Sequence, residues 1–436
     1  ANITVDKFLP QQLGLKVPMY VSYEQGNIEP QFDPRDPDIP LDAALAALPA
    51  EERAEYRSIV SDQVTRRSLN FTNVRKIKLK ENAKSHFFDL SNFTFSYSYS
   101  DVERSNFNIA NYEQRLIRGG IGYNYSFPDI NVQPFANVNA FNSPWLALIK
   151  DINFSPLPST VSFRGDINRS FVKTVYRGAD LNPLGEAFYE KAFTFNRIYD
   201  MRWNLSQNLA LDYGARAFAI IDEPDGDLDT EEKRDEVLNN LQRFGRMKNF
   251  DQSLTATYTV PFDKVPLTDW INADVRYASG YTWRAGALGI ADTLGNTIEN
   301  NRDQSLNGKI DMVNLYNKVG FLREINSASS GGRRSRAAAA RRPQNQSEDE
   351  EEEPKKENKF AKGFLRLLMS LRSISTTYSL SEGTLLPGYM PNAYLFGMDS
   401  SFAAPGLPFL LGSQDPEIRT QAVKNGWLTT SAALTM

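Results

Sequence analysis

The sequence contains no cysteine and a single histidine among its 436 residues. Without cysteine the chain cannot form disulfide bonds or thiolate metal sites. The lone histidine, His86, has no catalytic or metal-binding motif around it, so we expect it to be structural. No Ser/His/Asp set and no phosphate-cradling glycine loop is found either. These absences favour a protein that is not an enzyme and that holds no cofactor or metal.

Long apolar runs and a strong net charge are also missing. No stretch of about 18 apolar residues occurs, and the mean hydropathy is −0.46, so no transmembrane helix is predicted. The 49 basic and 53 acidic residues nearly cancel, which argues against nucleic acid as a partner. The opening stretch, ANITVDKFLPQQLG, lacks the basic and apolar regions of a secretion signal. We expect a mature chain or an interior piece of a longer one.

The dominant positive signal is an alternation of period two. In NFTFSYSYSD, residues 92–101, aromatic side chains alternate with small hydroxyl-bearing ones. Many other segments alternate for more than ten residues, whereas strands of soluble proteins average about 5–6 residues and strands that cross a bilayer need about 9–11. This pattern predicts an all-β chain that forms a segment of a transmembrane antiparallel β-barrel, with about twelve strands and short helices in its loops.

Membrane barrels are apolar outside and polar inside, which assigns a side to each alternating position. The residues predicted to face lipid are aromatic or aliphatic: Phe93, Phe95, Tyr97, Tyr99, Phe193, Phe195, Trp203, Leu209, Leu211 and Tyr213. The residues predicted to face a water-filled lumen are charged: Arg164, Asp166, Asp200, Arg202, Asp212, Arg216, Asp274 and Arg276. The tryptophans Trp203 and Trp283 are predicted to anchor the strands at the bilayer interface.

The connections between strands divide the chain into three regions. Residues 1–328 should contain barrel strands and extracellular loops, with helical caps near 42–64 and 229–245. Residues 329–363 read as a disordered, charged periplasmic linker because they lack apolar side chains. Residues 364–436 should add further strands and a long apolar extracellular loop, 382–426.

The loop 382–426 is the candidate gate or partner-binding element. Its prolines should stiffen it, and its apolar side chains need a surface on which to be buried. An equally good alternative is that the loop folds over the barrel mouth for stability alone. The residues proposed for the gate or partner contact are Leu385, Leu386, Phe409, Leu410 and Leu411.

One acidic stretch has partial calcium-loop spacing. Asp225, Asp227 and Asp229 align with ligand positions, but Thr230 stands where the loop requires glycine. An acidic start to a surface helix is the favoured interpretation, and calcium binding is left open.

Several spaced blocks carry a resemblance to a known family. They are RSLNFTNVRK, NFTFSYSYSD, YRGADLNPLGEAFYEKAFTFNRIYDMRWNLS, NGKIDMVNLYNKVGFLREIN, and PGLPFLLGSQDPEIR with NGWLTT. The sequence resembles the SprA family, also called Sov, the outer-membrane translocon of the type 9 secretion system associated with gliding motility. The resemblance implies a single-chain barrel of exceptional size, the largest known barrel having 36 strands. The strands of this sequence would then be one portion of the barrel.

The resemblance also implies a function and its partners. Folded cargo proteins would be exported through a wide polar lumen with a lateral opening in the wall of the barrel. A PorV-like outer-membrane barrel would dock at that opening, and a periplasmic plug protein would close the alternative state. The remaining SprA strands and the lipid bilayer would be further partners, and the location would be the bacterial outer membrane.

Two other protein classes have the same alternation. A complete porin or channel of about twelve strands would close into a barrel by itself. A soluble or surface β-sandwich used for adhesion would instead pack the row from Phe93 to Tyr99 against a second sheet. The first predicts a closed barrel of one chain, and the second predicts stability without detergent.

Overall fold

The computed structural model describes residues 1–79, 85–323, 364–365 and 367–430. It contains fifteen strands, of which thirteen form one sheet. The strands are β1 (Asn2–Thr4), β2 (Leu15–Lys16), β3 (Pro18–Ile28), β4 (Phe32–Asp33), β5 (Asp36–Pro40), β6 (Asp62–Lys76), β7 (Phe93–Ser105), β8 (Ile109–Ser126), β9 (Thr160–Tyr176), β10 (Phe188–Asn204), β11 (Leu209–Ile220), β12 (Arg246–Val260), β13 (Ile271–Arg284), β14 (Asn296–Asp311) and β15 (Ser373–Tyr389).

The helices are short and lie between strands. They are α1 (Leu41–Ala47), α2 (Ala50–Val60), α3 (Ala147–Lys150), α4 (Glu231–Gln242), α5 (Ala291–Leu294), α6 (Met312–Lys318), α7 (Leu407–Leu410) and α8 (Ile418–Lys424). Single turns of 3-10 helix occur at 5–8, 11–13, 90–92, 139–141, 144–146, 262–264 and 395–397. No helix in the described part of the chain is long and apolar enough to span a membrane.

The large sheet is an up-and-down meander. From β6 onward each strand pairs antiparallel with the next one along the chain, up to β15. At the start, β3 pairs with both β1 and β6, and β2 also pairs with β6, while β4 and β5 form a separate hairpin. The predicted all-β class, with one large antiparallel sheet and a few short helices, is confirmed.

Local chemistry explains why the strands begin and end where they do. Aromatic and β-branched residues favour the pleated surface, and the long alternations of β7 to β10 supply them. The tight turn between β10 and β11 is closed by Ser206, whose hydroxyl accepts hydrogen bonds from the amides of Asn208 (3.2 Å) and Leu209 (3.0 Å). A serine side chain that bonds to the backbone in this way stabilises a turn.

The sheet is open within the described residues. β1 lies at one edge and β15 at the other, and these two strands do not pair with each other there. Next to β15, the Thr429 amide donates to the Gly388 carbonyl and the Met390 amide donates to the Trp427 carbonyl, both at 2.8 Å. A further strand was predicted at 427–436, and its residues 431–436 lie outside the described residues.

Two predicted boundaries near the C-terminal part of the sheet are wrong. β15 begins at Ser373, after a helical turn, whereas a strand was predicted from residue 364. β15 also continues to Tyr389, so Leu385 and Leu386 belong to a strand and not to the loop. The alternation persists through SLSEGTLL, and Leu386 is paired with Ile298 of β14. Pro387 lacks a backbone N–H, but it lies near the irregular end of the strand, so only one hydrogen-bond donor is lost there. The predicted linker 329–363 lies outside the described residues.

Three groups of buried apolar residues hold the loops in place. The largest lies on one face of β11–β15, beneath residues from the segment after β15. A second joins α1 and α2, and includes Leu41, Leu45 and Tyr56. The third packs α4 against β10, with Phe193, Ile221 and Val237 at its centre. Of the described helices, α1, α2 and α4 lie within or near the ranges 42–64 and 229–245.

Candidate functional site

The strand register gathers the apolar positions onto one face of the sheet. Phe93 is opposite Tyr123, Tyr123 is opposite Phe163, and Phe163 is opposite Tyr199, which pairs with Ala215. Directly opposed residues in an antiparallel sheet share a face. The same reading places all ten residues predicted to face lipid on this side, which we call the apolar face.

The charged positions occupy the other side, which we call the polar face. All eight residues predicted to face a lumen lie there, because each alternates with an apolar-face neighbour in its own strand. Arg202 faces Asp212 across β10 and β11, with 3.7 Å between Nε and Oδ1. Arg164 pairs with Asp166 at 2.6 Å, and Thr259 donates to Asp274 at 2.7 Å. The register therefore separates the two sets completely.

The apolar face has a charged boundary on β6–β9. Asp101 is nearly buried there, with 3% of its side chain exposed, between Arg67 (3.5 Å) and Arg115 (3.9 Å). In the neighbouring row, Arg169 binds Glu223 of the α4 loop, the connection between β11 and β12, through two nitrogens, at 2.5 and 2.9 Å. Asp101 is held by the charges of the two arginines, and its buried Oδ2 has no hydrogen-bond partner among the described residues. The aromatic band thus ends at a belt of paired charges.

A long segment covers the upper part of the apolar face on β11–β15. We call residues 390–427 the strap. Its buried residues pack on Phe250, Tyr281 and Trp283 of the sheet, which are 1–3% exposed. The buried residues of the strap itself are Ala393, Met398, Ala404, Phe409, Leu410 and Ala422.

Side-chain hydrogen bonds fix the strap to the sheet. Asn300 of β14, which is 1% exposed, donates to the carbonyls of Phe409 (2.9 Å) and Ser413 (3.0 Å) and accepts from Gln414 (3.0 Å). The Tyr281 hydroxyl donates to the Gly397 carbonyl at 3.0 Å. Since the buried side chains of Asn300 and Tyr281 both bond to the strap, these bonds fix its position on the sheet.

The strap changes the interpretation of several predicted residues. Phe409 and Leu410 are buried against the sheet of their own chain, while Leu411 is 44% exposed. Leu386 also lies beneath the strap, whereas Leu385 points the other way and is 60% exposed. Trp283 is buried under the strap, so its prediction as a bilayer-interface anchor is wrong. Alternation alone could not show that a later segment would cover this strand.

The α4 loop covers a smaller area of the apolar face. Phe193, predicted to meet lipid, packs on Ile221 and Val237 and is only 7% exposed. Phe95 and Tyr97 on β7 remain open, at 46% and 41%. The uncovered part of the apolar face is therefore largest on β3 and β6–β8. It also includes the halves of β12–β15 that lie away from the strap, where the exposed residues are Tyr258, Val275, Leu306 and Tyr378.

The acidic stretch before α4 is engaged by lysines. Asp227 accepts from Lys173 at 2.6 Å and from the Tyr189 hydroxyl at 3.0 Å, and Asp229 pairs with Lys233 at 2.9 Å. Partial burial raises the pKa of Asp227, but the bonds from Lys173 and Tyr189 outweigh it and leave the pKa below its usual value. Within the described part of the chain, no three His, Asp or Glu side chains are grouped closely enough to hold a metal ion.

His86 lies in the connection between β6 and β7. Its ring stacks on Phe88, with 5.5 Å between the ring centroids, and its Nδ1 is 3.7 Å from Asp89. The backbone amide of His86 donates to the Asp89 carboxylate at 2.8 Å, and this bond lowers the pKa of Asp89. These contacts join residues 86, 88 and 89 to one another.

Comparison with known proteins relates the first part of the chain to a protein family. Residues 1–45 match the family model SprA_N, described as a motility related/secretion protein. No curated protein matches the chain. The match covers β1–β5 and part of α1, and it links the chain to motility-related and secretion proteins.

Proposed function

We propose that this chain forms part of the wall of the protein-conducting channel of the type 9 secretion system in the bacterial outer membrane. The apolar face meets lipid, and the polar face lines a wide, hydrated lumen through which folded cargo passes. The single observation that carries the proposal is the strand register, which places the aromatic and aliphatic residues predicted to face lipid on one face of the sheet and the charged residues predicted to face a lumen on the other. The match of residues 1–45 to motility and secretion proteins supports the same assignment.

The dimensions of the uncovered sheet support membrane insertion. On β8, the apolar face runs without a charge from Ile117 to Tyr125 before the strand reaches Arg115. At about 3.4 Å per residue and a tilt of about 40°, this stretch rises about 20 Å. That is close to the apolar band of about 25 Å in outer-membrane barrels. The belt around Asp101 then lies at the level of the lipid headgroups.

The edges of the sheet support a larger assembly. An exposed strand edge leaves amide and carbonyl groups unpaired, and within a bilayer each unpaired group costs several kcal/mol. The outer edges of β1 and β15 must therefore be paired by further strands. In this proposal the lateral opening lies at such a strand edge, and the PorV-like barrel docks there. The plug protein acts from the opposite side of the membrane.

The strap has a protective role in this arrangement. Irregular backbone is tolerated near a membrane only where protein covers it or water reaches it. The carbonyls of Phe409, Leu410 and Ser413 are bonded to side chains of the sheet, so the strap can lie along the outer wall near the extracellular side. Its outward residues, which include Leu407 and Leu411, offer an apolar surface to a partner barrel.

The mass of the native species tests the proposal. The complex that contains this sequence should be extracted from outer membranes in mild detergent and weighed by native mass spectrometry. We expect a mass well above the 49.2 kDa of the sequence, with additional strands in the same barrel. A closed barrel with the 49.2 kDa mass of this sequence alone that conducts ions in a planar bilayer would favour the self-contained porin and overturn the proposal.

A further inference from the structure

A cavity of about 430 Å³ lies on the apolar face where three connections meet. One wall is the end of the α4 loop, the second is the connection between β13 and β14, and the third is the beginning of the strap. Its size falls in the usual range of small-molecule sites, about 300–1,000 Å³. Apolar walls are provided by Phe244, Trp283, Leu288 and Leu395.

The floor of the cavity contains a buried arginine. Arg197 of β10 points to the apolar face, between Phe195 and Tyr199 of its own strand, and is 7% exposed. Its Nε has no hydrogen-bond partner among the described residues, and none of the ion pairs found there includes Arg197. The guanidinium is hydrogen-bonded to the Tyr199 side chain, and its remaining contacts are weak. Nη2 lies 3.7 Å from the Met247 sulfur, and the guanidinium carbon lies 5.2–5.3 Å from the rings of Phe195 and Phe244.

The other charged groups around the cavity do not supply the missing partner. Arg246 also lines it, but is already held by Asp222 through two bonds of 2.8 and 2.9 Å. Arg243 stands at the exposed rim, and Asp292 lines the wall on the β13–β14 connection. A buried cation without a partner costs several kcal/mol, which an anion bound in the cavity would offset.

We propose that this cavity binds the phosphate of an anionic lipid. A guanidinium presents a planar fork that holds phosphate through two hydrogen bonds, and Arg243 at the rim can add a third donor. The apolar walls fit the adjoining acyl region. The inference rests on the proposed function, because it takes the apolar face as the lipid-facing one.

Thermal unfolding of the full chain in a nonionic detergent tests the site. The probes are dihexanoyl phosphatidic acid, dihexanoylglycerol without a phosphate, and inorganic phosphate. We expect phosphatidic acid to raise the unfolding midpoint in proportion to the logarithm of its concentration, by about 3 °C at a hundredfold excess over Kd. The glycerol lipid should give no shift, and inorganic phosphate should need at least a hundredfold higher concentration for an equal one.

Variants of two arginines on the same strand separate the site from general effects. Arg197→Met should abolish the shift while leaving the midpoint without lipid unchanged or higher, because it removes an unpaired buried charge. Arg197→Lys should keep a reduced shift. The matched control is Arg202→Met on the polar face of β10, which should respond like the unsubstituted chain.

The possible results divide clearly. An unchanged lipid response in Arg197→Met would overturn the site, and an equal response to inorganic phosphate and to phosphatidic acid would overturn the lipid assignment. Insertion is measured separately, from the exposure of β7 to lipid. A missing lipid response in an inserted chain therefore refutes the site alone, whereas failed insertion refutes the proposed function.

Discussion

At the residue scale, the informative positions are polar groups on the apolar face. The face is not uniformly apolar, since Asn300 and Gln252 lie in the same rows as Tyr281. Both side chains form hydrogen bonds to the strap. Asn300 donates to two strap carbonyls, and Gln252 donates to the Leu410 carbonyl at 3.3 Å. A polar residue in an otherwise apolar row therefore marks contact with protein.

Replacing Asn300 with alanine should loosen the strap. The change removes three hydrogen bonds between the sheet and the strap and leaves the Ser413 carbonyl without its side-chain donor, at a cost of about 2–3 kcal/mol, although the Phe409 carbonyl and the Gln414 amide keep their bonds to Gly412. Hydrogen exchange at residues 407–414 should become faster and the Trp283 emission should shift to the red. Asn301→Ala is the control, because Asn301 is on the exposed polar face, and equal effects of both changes would contradict the anchoring role.

Tyr56 of α2 makes the helical cap sensitive to alkaline pH. Burial and the hydrogen bond from its hydroxyl to Asp33 (2.5 Å) raise the pKa of Tyr56 to about 12. A pKa raised in the folded state adds stability that is full below pH 10 and is lost as the pH rises through about 12.

This predicts a selective loss of the α1–α2 cap between pH 10 and 12. Tyrosinate absorbance should show one fewer late-titrating group in Tyr56→Phe than in the unsubstituted chain, and the substitution should cost about 1–2 kcal/mol at neutral pH. An unchanged number of late-titrating groups in Tyr56→Phe would contradict the assignment to this hydroxyl.

At the element scale, strands were easier to predict than the segments that cover them. Alternation is a local property, so β7 could be recognised from residues 92–101 alone. The strap depends on contacts between residues more than one hundred positions apart, such as Asn300 with Phe409. Its prolines and leucines predicted that it would be buried, but not on which surface. For the same reason the burial of Trp283 and of Phe193 could not be predicted.

Gly397 is the residue that lets the strap approach the sheet. Its φ is +74°, and a Cβ there would lie 2.6 Å from ring carbons of both Phe250 and Tyr281. Gly397→Ala should therefore cost about 1–2 kcal/mol for the left-handed backbone and about 1–3 kcal/mol more for the clash.

Gly426→Ala is the matched control for this prediction. Gly426 also has a positive φ, of +68°, but its Cβ would meet nothing within 4 Å. Denaturant unfolding should show a larger loss for Gly397→Ala, together with faster proteolysis of the strap. Equal losses for the two variants would mean that the close approach at Gly397 contributes nothing.

At the scale of the whole molecule, the account depends on which side of the sheet meets lipid. The sequence predicted the antiparallel sheet and its two faces, because side-chain alternation determines both. It could not show what pairs with the edges of the sheet, since pairing at β1 and β15 involves backbone groups that carry no pattern in their side chains. The uncovered apolar face on β7 is the most direct place to measure the environment.

A nitroxide scan of residues 94–99 on β7 tests the central claim. The 436-residue sequence has no cysteine, so each introduced cysteine carries the only label within this sequence when the protein is inserted in lipid vesicles. We expect collisions with oxygen, which concentrates in hydrocarbon, to peak at positions 95, 97 and 99, and collisions with a water-soluble nickel complex to peak at 94, 96 and 98. The opposite phase, or no alternation at all, would contradict a wall between lipid and a hydrated passage.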